Sequence, residues 1–210
     1  MKKISLLLIL FLLSCERNQT FINLSEFKEI TKLDVQNFDP NKNISYWDYS
    51  EECSNGENGE YRILVNYAKG KQSEELKTEY TKANFQHPIH HFLGECAHCC
   101  YKLIRFETSN KFSILKFYQN KDLLLEFLGD INTIQEAYWL LKNSGYNTLT
   151  TNNPVFIKET DKGYELIAEK EISICEPYVI EKHHVMISPK GDLQILSKEV
   201  IVNKNVCVNF

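Results

Sequence analysis

Residues 164–174 read Tyr-Glu-Leu-Ile-Ala-Glu-Lys-Glu-Ile-Ser-Ile, and their period decides the fold. Tyr164, Leu166, Ala168, Ile172 and Ile174 alternate with Glu165, Glu169, Glu171 and Ser173. This is the two-residue repeat of a strand with one face in a core and the other in water. Lys170 is the one charge out of phase, on the apolar side. The alternation sends Ile172 and Ile174 into the core and Cys175 to the opposite, more polar face. Downstream, residues 178–187 form a second predicted strand, Pro189-Lys190-Gly191-Asp192 a turn, and residues 193–202 a third strand, with 206–210 closing the sheet.

Upstream the period lengthens. Thr133 followed by Glu136 has the spacing of a capping box, and Ile134, Ala137, Tyr138 and Leu141 supply the i, i+3, i+4, i+7 stripe of a helix that Gly145 ends. Trp139 and Leu140 widen that stripe, so the helix is expected to be buried on more than one side, across a sheet. Asn120 is placed to cap a shorter helix with Leu123, Leu124, Phe127 and Leu128 on its apolar face and Gly129 after it. Residues 101–107 and 111–118 read as a hairpin around Thr108-Ser109-Asn110, with Leu103 and Arg105 opposing Lys102, Ile104 and Phe106.

The amino-terminal half is less regular. Leu24, Phe27 and Ile30 suggest a short helix capped by Ser25. Residues 35–50, with Pro40 and the aromatic group Tyr46, Trp47 and Tyr49, read as an ordered loop. A turn at 53–59 leads into a strand at 61–67, and Ser73 caps a predicted amphipathic helix over 72–83 carrying Leu76, Tyr80 and Ala83. Helices followed by turn-linked strands predict an α+β fold, an antiparallel β-meander with the amphipathic helix after Thr133 packed centrally on one face. Residues 21–210 are expected to form one globular domain.

Of 210 residues, 43% are hydrophobic and 12% aromatic, enough to build a core, and the formal net charge is −4. An acidic chain lacks the clustered positive charge that duplex nucleic acid attracts, so no nucleic-acid partner is expected.

The first fifteen residues, MKKISLLLILFLLSC, stand apart. Lys2 and Lys3 precede an apolar run of about ten residues, roughly half of what a bilayer-spanning helix requires, which suits the h-region of a signal peptide. Leu12-Leu13-Ser14-Cys15 resembles the lipobox of bacterial lipoproteins. That resemblance covers this segment alone. It implies a signal peptide over 1–14, cleavage before Cys15, acylation of the Cys15 thiol, and a short tether over 15–20 holding the protein to a membrane of the bacterial cell envelope, facing the periplasm or the cell surface. With Lys2 and Lys3 removed, the mature part is more acidic still.

Seven cysteines are present. If Cys15 carries lipid, Cys53, Cys96, Cys99, Cys100, Cys175 and Cys207 remain, an even number suited to disulfides in an exported protein. Cys175 and Cys207 are expected to pair with each other across one strand, a turn and a returning strand, leaving Cys53 for the Cys96–Cys100 group.

Four of the six histidines and three of the cysteines fall within residues 87–100. His87, His90, His91, Cys96, His98 and Cys99 are ligand types for zinc or copper, and Cys96-x-x-Cys99 has the spacing with which two thiolates grip one ion. A zinc ribbon needs a second such pair, and none is present. The alternatives are structural disulfides or a redox-active dithiol. His183 and His184, adjacent on a predicted strand, point to opposite faces, one to the core and one to solvent. Ser188 and Asp192 lack the nucleophile-elbow context of a triad, and no catalytic residue is assigned. The expectation is a non-catalytic envelope lipoprotein without a cofactor, binding an envelope protein or a small ligand. The alternative is a metal-binding or thiol-redox lipoprotein centred on residues 87–100.

Overall fold

The computed structural model describes residues 23–55, 60–74, 77, 100–109, 111–116, 121–146 and 153–207, with the backbone alone at 51–55, 60–64 and 100–102. The strands are β1 (Lys28–Ile30), β2 (Ile44–Asn55), β3 (Glu60–Gly70), β4 (Cys100–Thr108), β5 (Lys111–Lys116), β6 (Val155–Thr160), β7 (Gly163–Ser173), β8 (Tyr178–Ile187) and β9 (Leu193–Lys204), and the helices are α1 (Lys121–Leu128) and α2 (Ile134–Leu141). They form two antiparallel sheets, one of order β1-β6-β7-β8-β9 and one of order β3-β2-β4-β5. The class is therefore α+β. In the first sheet β6 to β9 follow one another as neighbours, the meander that the two-residue period predicts, and β1 is added at the β6 edge.

In the second sheet β3, β4 and β5 stand where strands are predicted over 61–67, 101–107 and 111–118, and β2 is the strand that the sequence reading lacks. Residues 44–50, expected as loop, are the start of β2, which pairs with β3 on one side and β4 on the other. Trp47 enters the core with Phe106 and Leu115, while Asp48 and Ser50 alternate with it and are also fully buried. An acid between two aromatics hides a strand period, because the alternation test assumes that a charged side chain is solvated. The same limit applies to β4, where Arg105 and Leu103 oppose Ile104 and Phe106 as expected but both faces are buried. The hairpin of β4 and β5 forms in the predicted place, pairing Thr108 with Lys111.

The predicted helix at Leu24 is instead a 3-10 turn, Leu24–Glu26. Its cap is Asn23, whose Oδ1 accepts the Ser25 N–H at 3.1 Å, and the chain then extends into β1. Of the helix predicted over 72–83, the Lys77 N–H donates to the Ser73 carbonyl at 3.1 Å, and most of the remainder lies outside the described residues.

The capping box at the start of α2 is present. Thr133 Oγ1 accepts the Glu136 N–H at 3.2 Å, and Glu136 Oε2 accepts the Thr133 N–H at 2.9 Å. Glu136 is fully buried and takes two further N–H groups, from Asn132 at 2.7 Å and from Asp39 at 2.6 Å, which ties the loop after Phe38 to the helix. Burial pushes this carboxyl up from its usual pKa range, and the three N–H donors pull against that push. Past α2 the chain winds through Lys142–Tyr146 and turns at Gly145, whose φ of 83° suits a residue without Cβ.

Ala137, Tyr138, Trp139, Leu140 and Leu141 are all buried, in one core cluster with residues of both sheets and of α1. The aromatics run continuously through it: Phe127 of α1 lies 5.2 Å from Phe106 and 5.5 Å from Trp47, and Phe38 stacks on Trp139 at 5.1 Å. The β8–β9 turn closes on the helices. The Ile131 N–H donates to the Pro189 carbonyl at 2.7 Å, and a Cβ at Gly191 would stand 2.5 Å from Leu125 Cδ2.

On β7 the core face carries Tyr164, Leu166, Ala168 and Lys170, paired with Ile187, Val185, His183 and Glu181 of β8. Ile172 and Ile174, expected in the core, are half exposed. The register shifts between Glu171 and Ser173, and the core cluster includes no β7 residue beyond Ala168. The sequence period thus outruns the core that it would face.

Candidate functional site

Lys170 and His183, two polar residues on an apolar face, mark one place. His183 is 3% exposed, and Glu181, two residues before it on the same face, lies directly across from Lys170. Tyr146, carried there by the turn at Gly145, places its hydroxyl 2.7 Å from His183 Nδ1. On the other side of the ring, His183 Nε2 lies 2.8 Å from Glu181 Oε2. A carboxylate only accepts, so Nε2 carries the proton; in the neutral ring Nδ1 is then the acceptor and the Tyr146 hydroxyl donates. Lys198 of β9 completes the line, with Nζ 3.1 Å and 3.2 Å from the two oxygens of Glu181. Lys170 Nζ lies 4.9 Å from the centroid of the Tyr146 ring.

The electrostatics follow from those contacts. The His183 hydrogen bond and then that of Lys198 hold Glu181 below the ordinary carboxylate range. Burial, with the Glu181 charge behind it, pushes Tyr146 up to about 12. The line runs from a buried phenol to a lysine more than half exposed, and each of its donors meets an acceptor. Such an arrangement specifies a core and fixes a tautomer.

A second polar cluster crosses the other sheet. Arg105 Nε donates to Asp48 Oδ1 at 2.9 Å, the two residues being opposite one another in the β2–β4 register, and Arg105 Nη2 donates to Ser50 Oγ at 3.0 Å. The Ser50 hydroxyl donates to Asp48 Oδ1 at 2.5 Å and the Tyr46 hydroxyl to Asp48 Oδ2 at 2.8 Å. Burial and the Asp48 carboxylate raise the Tyr46 pKa. Glu107 is also pushed up by burial, although Oε2 accepts the Ser73 N–H at 3.2 Å. Sequence reasoning missed this cluster. The signal that could have found it is Asp48 inside an aromatic run facing Arg105 inside an apolar one.

The sequence-predicted residues fall as follows. Cys15 and the set His87, His90, His91, Cys96, His98 and Cys99 lie outside the described residues. Among the described residues no group of three or more His, Cys, Asp or Glu side chains is placed to hold a metal ion. Cys175 and Cys207 are bonded, with Cα atoms 4.0 Å apart, and form an isolated antiparallel bridge beyond the ends of β7 and β9. Cys53 and Cys100 are opposite one another in the β2–β4 register. His183 is in the core, as one of the adjacent pair was expected to be. His184 is not free in solvent: its Nε2 lies 3.2 Å from Glu165 Oε2, and its ring meets Phe27 edge-on. Ser188 and Asp192 meet within their own turn, where Ser188 Oγ accepts the N–H groups of Lys190 and Asp192.

Around the Cys175–Cys207 bridge exposed apolar side chains stand among the exposed polar residues Glu176, Asn203, Lys204 and Asn205. Ile172, Ile174, Val200 and Val206 are each about half exposed, and the Glu176 N–H donates to the Val206 carbonyl at 3.3 Å, holding the turn to the carboxyl-terminal segment. The β9 strand at this sheet edge also exposes Ile195, Leu196 and Ile201. No helix among the described residues is long and apolar enough to cross a membrane. No known protein family, curated protein or solved structure matches the chain.

Proposed function

We propose that the protein is a lipid-anchored lipoprotein of the bacterial cell envelope that acts as a non-catalytic binding module. The anchor rests on Leu12-Leu13-Ser14-Cys15, where acylation of Cys15 at roughly 0.8 kcal/mol per buried methylene would far exceed the hold of a single myristoyl chain. The binding role is carried by one observation, the apolar surface of Ile172, Ile174, Val200 and Val206 at one end of the β7–β9 ribbon. Scattered single apolar residues need no explanation, whereas several gathered at one end of a sheet do. The described chain begins toward the other end of that sheet: Lys28 pairs with Ile157, which pairs with Leu166, and from Leu166 to Ser173 the strand runs about 23 Å at ~3.3 Å per residue. The Tyr146–His183–Glu181–Lys198 line supports the non-catalytic reading, because its donors and acceptors are turned on one another.

Replacing Cys15 by Ser is expected to release the protein from membranes washed with high salt and to remove the lipid mass from its amino-terminal peptide. Full retention of the variant would overturn the anchor. A photo-crosslinking residue at Val200 is expected to capture a partner in intact envelopes, where the same residue at Lys162 does not; no difference between the two sites would remove the binding surface from the reading. We take the protein to work without a bound cofactor. Elemental analysis of the native protein checks this, and stoichiometric zinc or copper would favour a ligand set at His87, His90, His91, Cys96, His98 and Cys99 instead.

A further inference from the structure

We infer that Cys53 and Cys100 are joined by a disulfide that staples β2 to β4. The inference rests on backbone register. From Tyr46 opposite Glu107 to Cys53 opposite Cys100, the β2–β4 ladder runs without a shift, so the two cysteines are direct cross-strand partners. Directly opposed residues of an antiparallel pair have Cα atoms about 4.5 Å apart at non-hydrogen-bonded positions and about 5.5 Å at hydrogen-bonded ones. Either value falls within the ~4.4 to 6.8 Å span that a disulfide bridges. The register is itself held by chemistry. Asp48 and Arg105, opposed in the same ladder, form a buried ion pair, and a slip of one residue would carry one of the two to the other face of the sheet.

The remaining thiols leave little competition. Cys175 and Cys207 are bonded to each other, and Cys15 is the acylation site of the proposed lipobox. Cys53 therefore has only Cys96, Cys99 and Cys100 to choose from, and the register selects the last. Formation is an ordinary exchange: the two thiols lose two protons and two electrons to a disulfide-bearing oxidant, which is reduced to two thiols as the new S–S bond forms. Such oxidants are met by an exported chain, so the bond in the cell rests on the proposed envelope location, whereas the pairing preference does not. The staple would close the sequence between its two ends, residues 54–99, into a loop. It would also remove Cys100 from any set of thiolates available to a metal.

The test separates these two dependences. The full chain, purified in detergent and equilibrated in a buffer of reduced and oxidised glutathione, is alkylated, digested with trypsin and mapped without reduction. The expected product joins residues 43–62 to residues 83–102. Because the second peptide holds Cys96, Cys99 and Cys100, electron-transfer fragmentation between residues 99 and 100 assigns the bonded sulfur without any variant. In the double variant Cys96→Ser, Cys99→Ser the linked product should persist at the wild-type yield. Alkylated Cys53 in the oxidised wild type, fragments assigning its bond to Cys96 or Cys99, or loss of the product from the double variant would each overturn the pairing. Finding the bond after in vitro oxidation but not in protein isolated from cells would keep the pairing and count against the envelope location alone.

Discussion

Tyr146, His183 and Glu181 show how a buried polar line earns its place residue by residue. Tyr146→Phe removes the donor to His183 Nδ1 without changing the ring volume, and a buried acceptor left unpaired costs about 1 to 3 kcal/mol. Equilibrium denaturation of the variant is expected to show a loss in that range, and a neutral result would mean that water reaches the imidazole. Glu181 makes the same line sensitive to pH. Because its folded pKa lies below the ordinary value, the stability that it contributes is present above about pH 4.5 and is lost as the pH falls through the folded value. Glu181→Gln should therefore flatten the acid limb of the stability curve, as read from denaturation midpoints over a pH series. An unchanged acid limb would show that the Lys198 and His183 contacts do not persist in solution. The sequence displayed half of this arrangement. Lys170 stood out as a charge on an apolar face, but nothing in a linear reading pairs it with Glu181, and Tyr146 reaches His183 only because Gly145 turns the chain after α2.

At the scale of elements, α2 is the part most fully written in the sequence. Its cap, its stripe and its terminating glycine are all local signals, and all three appear in the structure. Leu141 is fully buried, so Leu141→Ala is expected to cost roughly 2 to 5 kcal/mol; a loss below about 0.5 kcal/mol would show that the face has been assigned wrongly. Thr133→Ala, which removes one half of the capping box, should cost about 0.5 to 2 kcal/mol in the same denaturation experiment. Strand β2 was illegible for the opposite reason. Its period is masked by Asp48, whose burial is made possible by Arg105 on a strand more than fifty residues away, and no window on the sequence contains both. Ile172 and Ile174 failed in a third way: their local pattern is that of a buried strand, but the core ends before them. Local rules thus predicted α2 and the strands whose own period is plain, and missed β2, whose period is legible only with the partner that the sheet order brings to it.

For the whole molecule, the carboxyl-terminal strand raises the question of what holds it. β9 is the edge of its sheet, bonded in the described structure to β8 alone, and from Ile195 to Ile201 its side chains are exposed. An edge strand with so little burial gains little from the hydrophobic effect and is prone to fray from its end. Two register shifts against β8, one between His184 and Val185 and one between Ile180 and Glu181, interrupt its ladder further. Two kinds of contact oppose fraying, the Lys198–Glu181 and Lys182–Glu199 ion pairs in the middle and the Cys175–Cys207 bridge just past the end. The first is partly solvated and of modest value. The second closes a segment of sequence separation 32, which in the chain-entropy model contributes about 3 to 4 kcal/mol. The double variant Cys175→Ser, Cys207→Ser is therefore expected to lose stability of that order in denaturant unfolding. In native-state hydrogen exchange, protection should fall first at residues 199–204, while the amides of β6 and of β7 up to Ala168 stay protected. The two readouts discriminate. A fall in exchange protection confined to β9 with no change in the global midpoint would mean that the strand already detaches in the native ensemble and that the bridge acts only locally, and unchanged values of both would show that β9 is held by contacts other than the disulfide.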